Sequence, residues 1–139
     1  MADAIDVPRP RLPDSEKITV NLGFVDLGRV DLMVRDGFYA NRADFIRTAV
    51  RNQLDRQEDA VRQALGRRKL SLGLSHYGRC DLEAARDAGV PVHIHVLGLV
   101  SIADDVTPEL ARAAIASVQV LGAFHASAAV KAALSDRIA

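Results

Sequence analysis

Aromatic residues make up only 4% of this 139-residue chain, and tryptophan is absent. Any core must therefore be aliphatic. There is one cysteine, Cys80, so no disulfide can close within the chain, and such usage fits a reducing compartment. No run approaches the roughly 18 consecutive apolar residues of a membrane span. The first sixteen residues, MADAIDVPRPRLPDSE, contain no apolar segment of the kind a secretory signal needs. These absences point to a cytoplasmic protein with no membrane attachment. Catalytic signatures are also missing. There is no glycine-rich phosphate loop, no zinc-protease helix and no nucleophile elbow. Asp104-Asp105 precedes a helix and reads as a turn, not as paired catalytic carboxylates. No enzyme, catalytic residue or cofactor is expected.

What is present is 49% apolar content, enough for a core, and a net charge of zero that is unevenly placed. Residues 17–69 hold eleven Lys/Arg against seven Asp/Glu, while residues 70–139 hold five against seven. A basic front half is weakly suggestive of a polyanion partner and equally consistent with a solvated face. Residues 1–16, with Pro8, Pro10 and Pro13, read as a flexible arm in which Arg9 and Arg11 are candidate phosphate contacts.

The segment KITVNL, residues 17–22, alternates strictly. Ile18, Val20 and Leu22 share one strand face and Lys17, Thr19 and Asn21 the other. Leu27, Val30, Val34 and Phe38 then recur at helical spacing, and Asp36-Gly37 is a stop. A second helix starts behind Asn41 as N-cap, with Asp44 near its positive end. Its apolar stripe is Phe45, Ile46, Ala49, Val50 and Leu54, and the pattern continues through Val61 and Leu65 to Gly66. A single six-residue strand with two short helices cannot stand alone. Two copies pairing their strands antiparallel would satisfy both edges and bury Ile18, Val20 and Leu22 of each with Phe45, Ile46 and Val50. Residues 17–65 are thus expected to form an obligate homodimer.

Strand, helix, Gly37 turn and a second helix opening on Asn41-Arg42-Ala43-Asp44 together resemble the ribbon-helix-helix DNA-binding proteins of the Arc/MetJ/CopG type. The resemblance covers residues 17–54, and the segments VDLGRVDL and FIRTAVRNQL are similar to CopG-like transcriptional regulators of bacteria. Gly23-Phe24 departs from the pattern, since a polar cap is usual there. The resemblance implies a dimeric β-ribbon in the major groove of double-stranded DNA, with Lys17, Thr19 and Asn21 reading base edges. It implies phosphate contacts from the start of the second helix and from Asn41 and Arg42. Arg47 and Arg51, one turn apart, are backbone contacts or solvated charges. Arg67, Arg68 and Lys69 follow the DNA or form a hinge, and residues 66–71 read as a linker.

Residues 72–139 contain an internal repeat. Gly73, Gly98 and Gly122 are spaced by about one strand-and-helix unit, and each is followed by a helix-like piece, DLEAARDAG, TPELARAAI or SAAVKAAL. Ile94 and Val96, then Val118 and Val120, face inward; His93 and His95, then Ser117 and Gln119, face outward. The first copy, SLGLSHYGRC, fits least well. Two architectures fit: a short solenoid of stacked parallel strands, or a compact mixed α/β regulatory domain. In either case the fold class is α+β, a ribbon-helix-helix followed by an α/β repeat domain. The uncharged stretch 116–124 is an exposed strand that invites self-association.

His93 and His95, with His76, His125 and Cys80 nearby in sequence, raise a metal-responsive regulator of the kind that carries a His-x-His strand behind a ribbon-helix-helix. No cysteine follows His95 closely, and His76 and His125 lie roughly 10 Å apart by strand spacing, so no metal site is expected. Cys80 beside Arg79 reads as an ordinary repeat-loop cysteine. The expected function is a sequence-specific regulator, a repressor by preference. The alternatives are an antitoxin whose back half binds a toxin, and a structural protein that tethers DNA and polymerises.

Overall fold

The computed structural model describes residues 15–139. The arm residues Arg9 and Arg11 lie outside the described residues. The chain divides into two compact units, Met1–Ile46 and Arg47–Ala139.

In the first unit, residues 16–23 carry neither helix nor strand within the single chain. Helix α1 (Phe24–Arg35) follows, with Gly23 as an N-cap that has no side-chain oxygen to offer. Its apolar spacing buries Val30 and half-buries Leu27, Met33 and Val34. It ends where Gly37 takes φ +84, as the Asp36-Gly37 stop requires. There the N–H of Phe38 donates to Met33 O at 3.0 Å and that of Gly37 to Val34 O at 3.1 Å. Helix α2 (Arg42–Arg56) starts immediately beyond this turn and runs across the division between the units.

The second helix does not run unbroken to Leu65. It stops at Arg56, Gln57 intervenes, and α3 (Glu58–Arg68) begins. Glu58 and Asp59 explain the restart, because two carboxylates in a first turn suit a helix N-terminus. Gly66 lies inside α3 rather than ending it. The stop is at Lys69, left-handed with φ +53, and Leu70, buried, donates its N–H to Leu65 O at 3.1 Å.

Beyond Leu70 the fold is a regular alternation: β1 (Ser71–Tyr77), α4 (Arg79–Ala88), β2 (Val92–Ile102), α5 (Pro108–Ala114), β3 (Ile115–His125) and α6 (Ala128–Ala133). The three strands form one parallel sheet in sequence order. Their register sets Gly73 beside Gly98 and Gly98 beside Gly122, so even the poorly fitting first copy is in step. Ile94, Val96, Val100 and Val118 face one side and pack with Leu82 of α4, Leu110 and Ala114 of α5, and Val130 of α6 in a single aliphatic cluster. Side-chain caps start the last two helices: Thr107 Oγ1 accepts from Leu110 N at 3.2 Å, and Ser127 Oγ from Val130 N at 3.2 Å.

The glycine column has a steric cause. Gly73, Gly98 and Gly122 hold φ of +144, +141 and +120, where side chains are strained. A Cβ on Gly98 would lie 2.1 Å from Gly73 O, and one on Gly122 would lie 2.1 Å from Gly98 O. The neighbouring carbonyl occupies the space a side chain would need. At the outer edge the C-terminus closes one end of β3. Val118 N–H donates to Arg137 O at 2.9 Å, and Ala139 N–H donates to Val118 O at 2.9 Å.

Gly98→Ala should therefore destabilise the protein by about 2–4 kcal/mol, combining strain and clash. Gly73→Ala, with similar φ but open space at its Cβ, should cost clearly less. Urea denaturation of the two variants checks the difference.

Candidate nucleic-acid interface

Alternation in residues 17–22 would give an amphipathic strand, but one chain offers it no ladder. Among the described residues, no backbone bond outside helices and strands involves residues 16–22. Lys17, Thr19 and Asn21 are exposed, as are all their neighbours from residue 15 to residue 26. The residues expected in a dimer core are exposed too: Ile18 is 76% and Val20 64% accessible, with Leu22, Ile46 and Val50 also exposed. Phe45 is half-buried and meets Tyr39 edge-on at 4.8 Å between ring centres.

At the start of α2, Asn41 Oδ1 accepts the N–H of Asp44 at 2.8 Å. In return Asp44 Oδ2 accepts the N–H of Ala40 at 3.0 Å. This reciprocal cap satisfies two backbone donors and fixes the direction in which the helix start points. It employs the oxygen of Asn41 and leaves the amide NH2 as the donor for an anion.

Arg42, the other expected phosphate ligand, is held inside the unit. Its Nε donates to Asp31 Oδ1 at 2.7 Å and its Nη2 to Asp31 Oδ2 at 2.8 Å, a two-pronged fork across the Gly37 turn. That hydrogen bonding lowers the Asp31 carboxyl below its ordinary value and raises the Arg42 guanidinium. Sequence reasoning missed Asp31. The usable signal was its place one turn before the Asp36-Gly37 stop, which folds the end of α1 back beside the start of α2. Arg47 and Arg51 are exposed on α2.

In the sheet domain His76, His93 and His95 each find a local hydroxyl. His93 Nδ1 and His95 Nε2 lie 2.8 and 3.0 Å from the one hydroxyl of Ser117, their rings 6.1 Å apart. A hydroxyl can donate to one ring and accept from the N–H of the other. His76 Nδ1 lies 2.6 Å from Ser101 Oγ, and Ser101 stands between His76 and His125 in the strand register. Among the described residues no three His, Cys, Asp or Glu side chains gather as a metal site would require. Cys80 lies in the exposed first turn of α4, not in a loop. None of the described helices is long and apolar enough to cross a membrane.

A family model described as the Ribbon-Helix-Helix transcriptional regulator family matches residues 13–131. No curated protein and no solved structure matches the chain.

The fork between Arg42 and Asp31 has a measurable signature. Its contribution is present above the ordinary carboxylate pKa and is lost as pH falls through the lowered value. Carbon-detected NMR titration should place the Asp31 carboxyl below the ordinary carboxylate range, and Arg42→Ala should return it there. An unshifted Asp31 in the unaltered protein would rule the fork out.

Proposed function

We propose a function from one premise: the chain belongs to the ribbon-helix-helix transcriptional regulator family. It is a sequence-specific DNA-binding regulator, a repressor acting in the cytoplasm of a bacterial-type cell. The observation that carries this reading is the alternating segment 17–22, exposed on both faces and unpaired among the described residues, directly ahead of α1, the Gly37 turn and α2.

Two such segments pair antiparallel. Residues 17–65 form the dimer and the DNA-binding part, residues 66–71 lead out of it, and residues 72–139 form the associating domain. Pairing turns Ile18, Val20 and Leu22 of both chains inward against Phe45, Ile46 and Val50. At about 25 cal/mol per Å2 of apolar surface removed from water, this burial is what pays for ordering the ribbon. The opposite face then presents Lys17, Thr19 and Asn21 of each chain to the major groove. Lysine donates to guanine O6 or N7, asparagine bridges adenine N6 and N7, and threonine bonds either kind of edge or touches a thymine methyl.

The start of α2 carries the positioning contact. The free N–H groups of its first turn and the amide of Asn41 suit a phosphate oxygen. Arg42 joins them only by exchanging Asp31 for phosphate, or else serves to hold the turn while phosphate sees its remaining N–H groups. Such contacts set register and supply salt-dependent affinity without sequence information.

Titration on the DNA upstream of its own coding sequence and on random DNA, at two salt concentrations, tests the reading. The unaltered protein should prefer its own DNA. Asn21→Ala should lose roughly tenfold of that preference or more, since one good base contact is worth about 1–3 kcal/mol of discrimination. Asn41→Ala should weaken both DNAs alike. Equal binding of both DNAs by the unaltered protein, or equal preference after Lys17, Thr19 and Asn21 are all changed to Ala, would refute base reading by this face.

A further inference from the structure

The parallel sheet of the back domain has one face packed under helices at β2 and β3, and an opposite face without that cover. Helices α4, α5 and α6 cover the first. The second carries two rows read directly from the register: Leu72 beside Leu97 beside Leu121, and Leu74 beside Leu99 beside Ala123. Leu72 is 73% exposed, Leu74 80% and Leu121 47%. Purely parallel sheets are normally covered on both faces, because their backbone and aliphatic side chains belong in an interior.

Charge narrows the choice of cover. In a chain that is 26% Asp, Glu, Lys and Arg, the outward positions of all three strands hold none of these residues. They hold the leucine rows, then the row His76, Ser101, His125 at one end, and His93, His95, Ser117 and Gln119 at the other. A face without charge has no means of selecting a charged partner, and it complements a face of its own kind. A two-fold axis through the leucine rows lays leucine on leucine and brings the histidine and serine rows to the rim. An isologous contact of this form closes on itself.

The edges of the sheet favour the same solution. Growth by adding strands in parallel would join the β1 edge of one copy to the β3 edge of the next, a head-to-tail contact with no natural end. The C-terminus already occupies β3 at Val118, through Arg137 O and the N–H of Ala139. The contact at Val118 occupies only one end of the strand 116–124, where the sequence predicts self-association, and the sheet face offers a second surface for it.

We propose that the open face of the sheet, centred on Leu72, Leu74, Leu97, Leu99 and Leu121, packs against the same face of a second copy of this chain. The contact deepens the reading of residues 72–139 as the associating domain. It rests on the ribbon reading only for the total number of chains, since ribbon and sheet face are separate surfaces.

Sedimentation equilibrium of full-length protein tests the two surfaces separately. The ribbon is disabled by Val20→Asp and the face by Leu72→Lys with Leu74→Lys. The ribbon-disabled protein should still be a dimer, and adding the face substitutions should convert it to a monomer with the circular dichroism of the sheet domain retained. A ribbon-disabled protein that is already monomeric, or that stays dimeric without its leucines, would overturn the proposal. The face substitutions alone report on the ribbon: a dimer upholds it, and a monomer refutes it while leaving the face contact standing. Should the double lysine variant unfold, Leu121→Lys replaces it at the opposite end of the same row, with the same outcomes expected.

Discussion

Lys17 to Leu22 present backbone N–H and C=O groups for which the described part of the chain supplies no partner. Backbone polar groups can remain in water, but the alternating apolar side chains of the same segment cannot do so cheaply. Both needs are met at once by a strand from another chain. On this account, the helices exist to support that pairing. α1 and α2 are too short and too exposed to form a core by themselves. In the proposed function, dimerisation, groove reading and phosphate positioning all follow from one pairing event.

The sheet domain solves the opposite problem. Its strands are paired within the chain, and the cost falls on the side chains at the points of closest approach. Three glycines in register let each carbonyl sit where the next residue's Cβ would be. The backbone is satisfied, one face is packed under helices, and what remains uncovered is side-chain surface. The two halves of the chain therefore leave different things unsatisfied: a strand edge in the front and an aliphatic face in the back. A protein built this way has two independent reasons to associate with itself.

Much of this was legible in the sequence, and the failures have physical causes. The Gly37 turn, the Asn41 cap, the Thr107-Pro108 helix start and the glycine register could be read because each depends on one or two local residues. The segment 17–22 is different: a strand exists only with its partner, and the described part of the chain supplies none. The break at Gln57 was hidden because an apolar stripe continues smoothly through Val61 and Leu65, while the restart depends on the charges of Glu58 and Asp59. The engagement of Arg42 by Asp31 needed the Asp36-Gly37 stop to be read as a fold-back that sets the two residues, eleven positions apart, side by side. The contact at one end of β3 could not be read, because it comes from Arg137 and Ala139, residues with no strand pattern of their own. The polar use of His93 and His95 followed from the repeat, which places Ser117 opposite His93.

The central claim is the pairing of residues 17–22 between two chains, and amide hydrogen exchange of the free protein, resolved residue by residue, tests it most directly. Pairing predicts protected amides at alternate positions through Lys17–Leu22, with protection that weakens on dilution as dimers dissociate. Exchange throughout this segment at the rate of an unstructured peptide, at concentrations where the protein sediments as more than one chain, would contradict it.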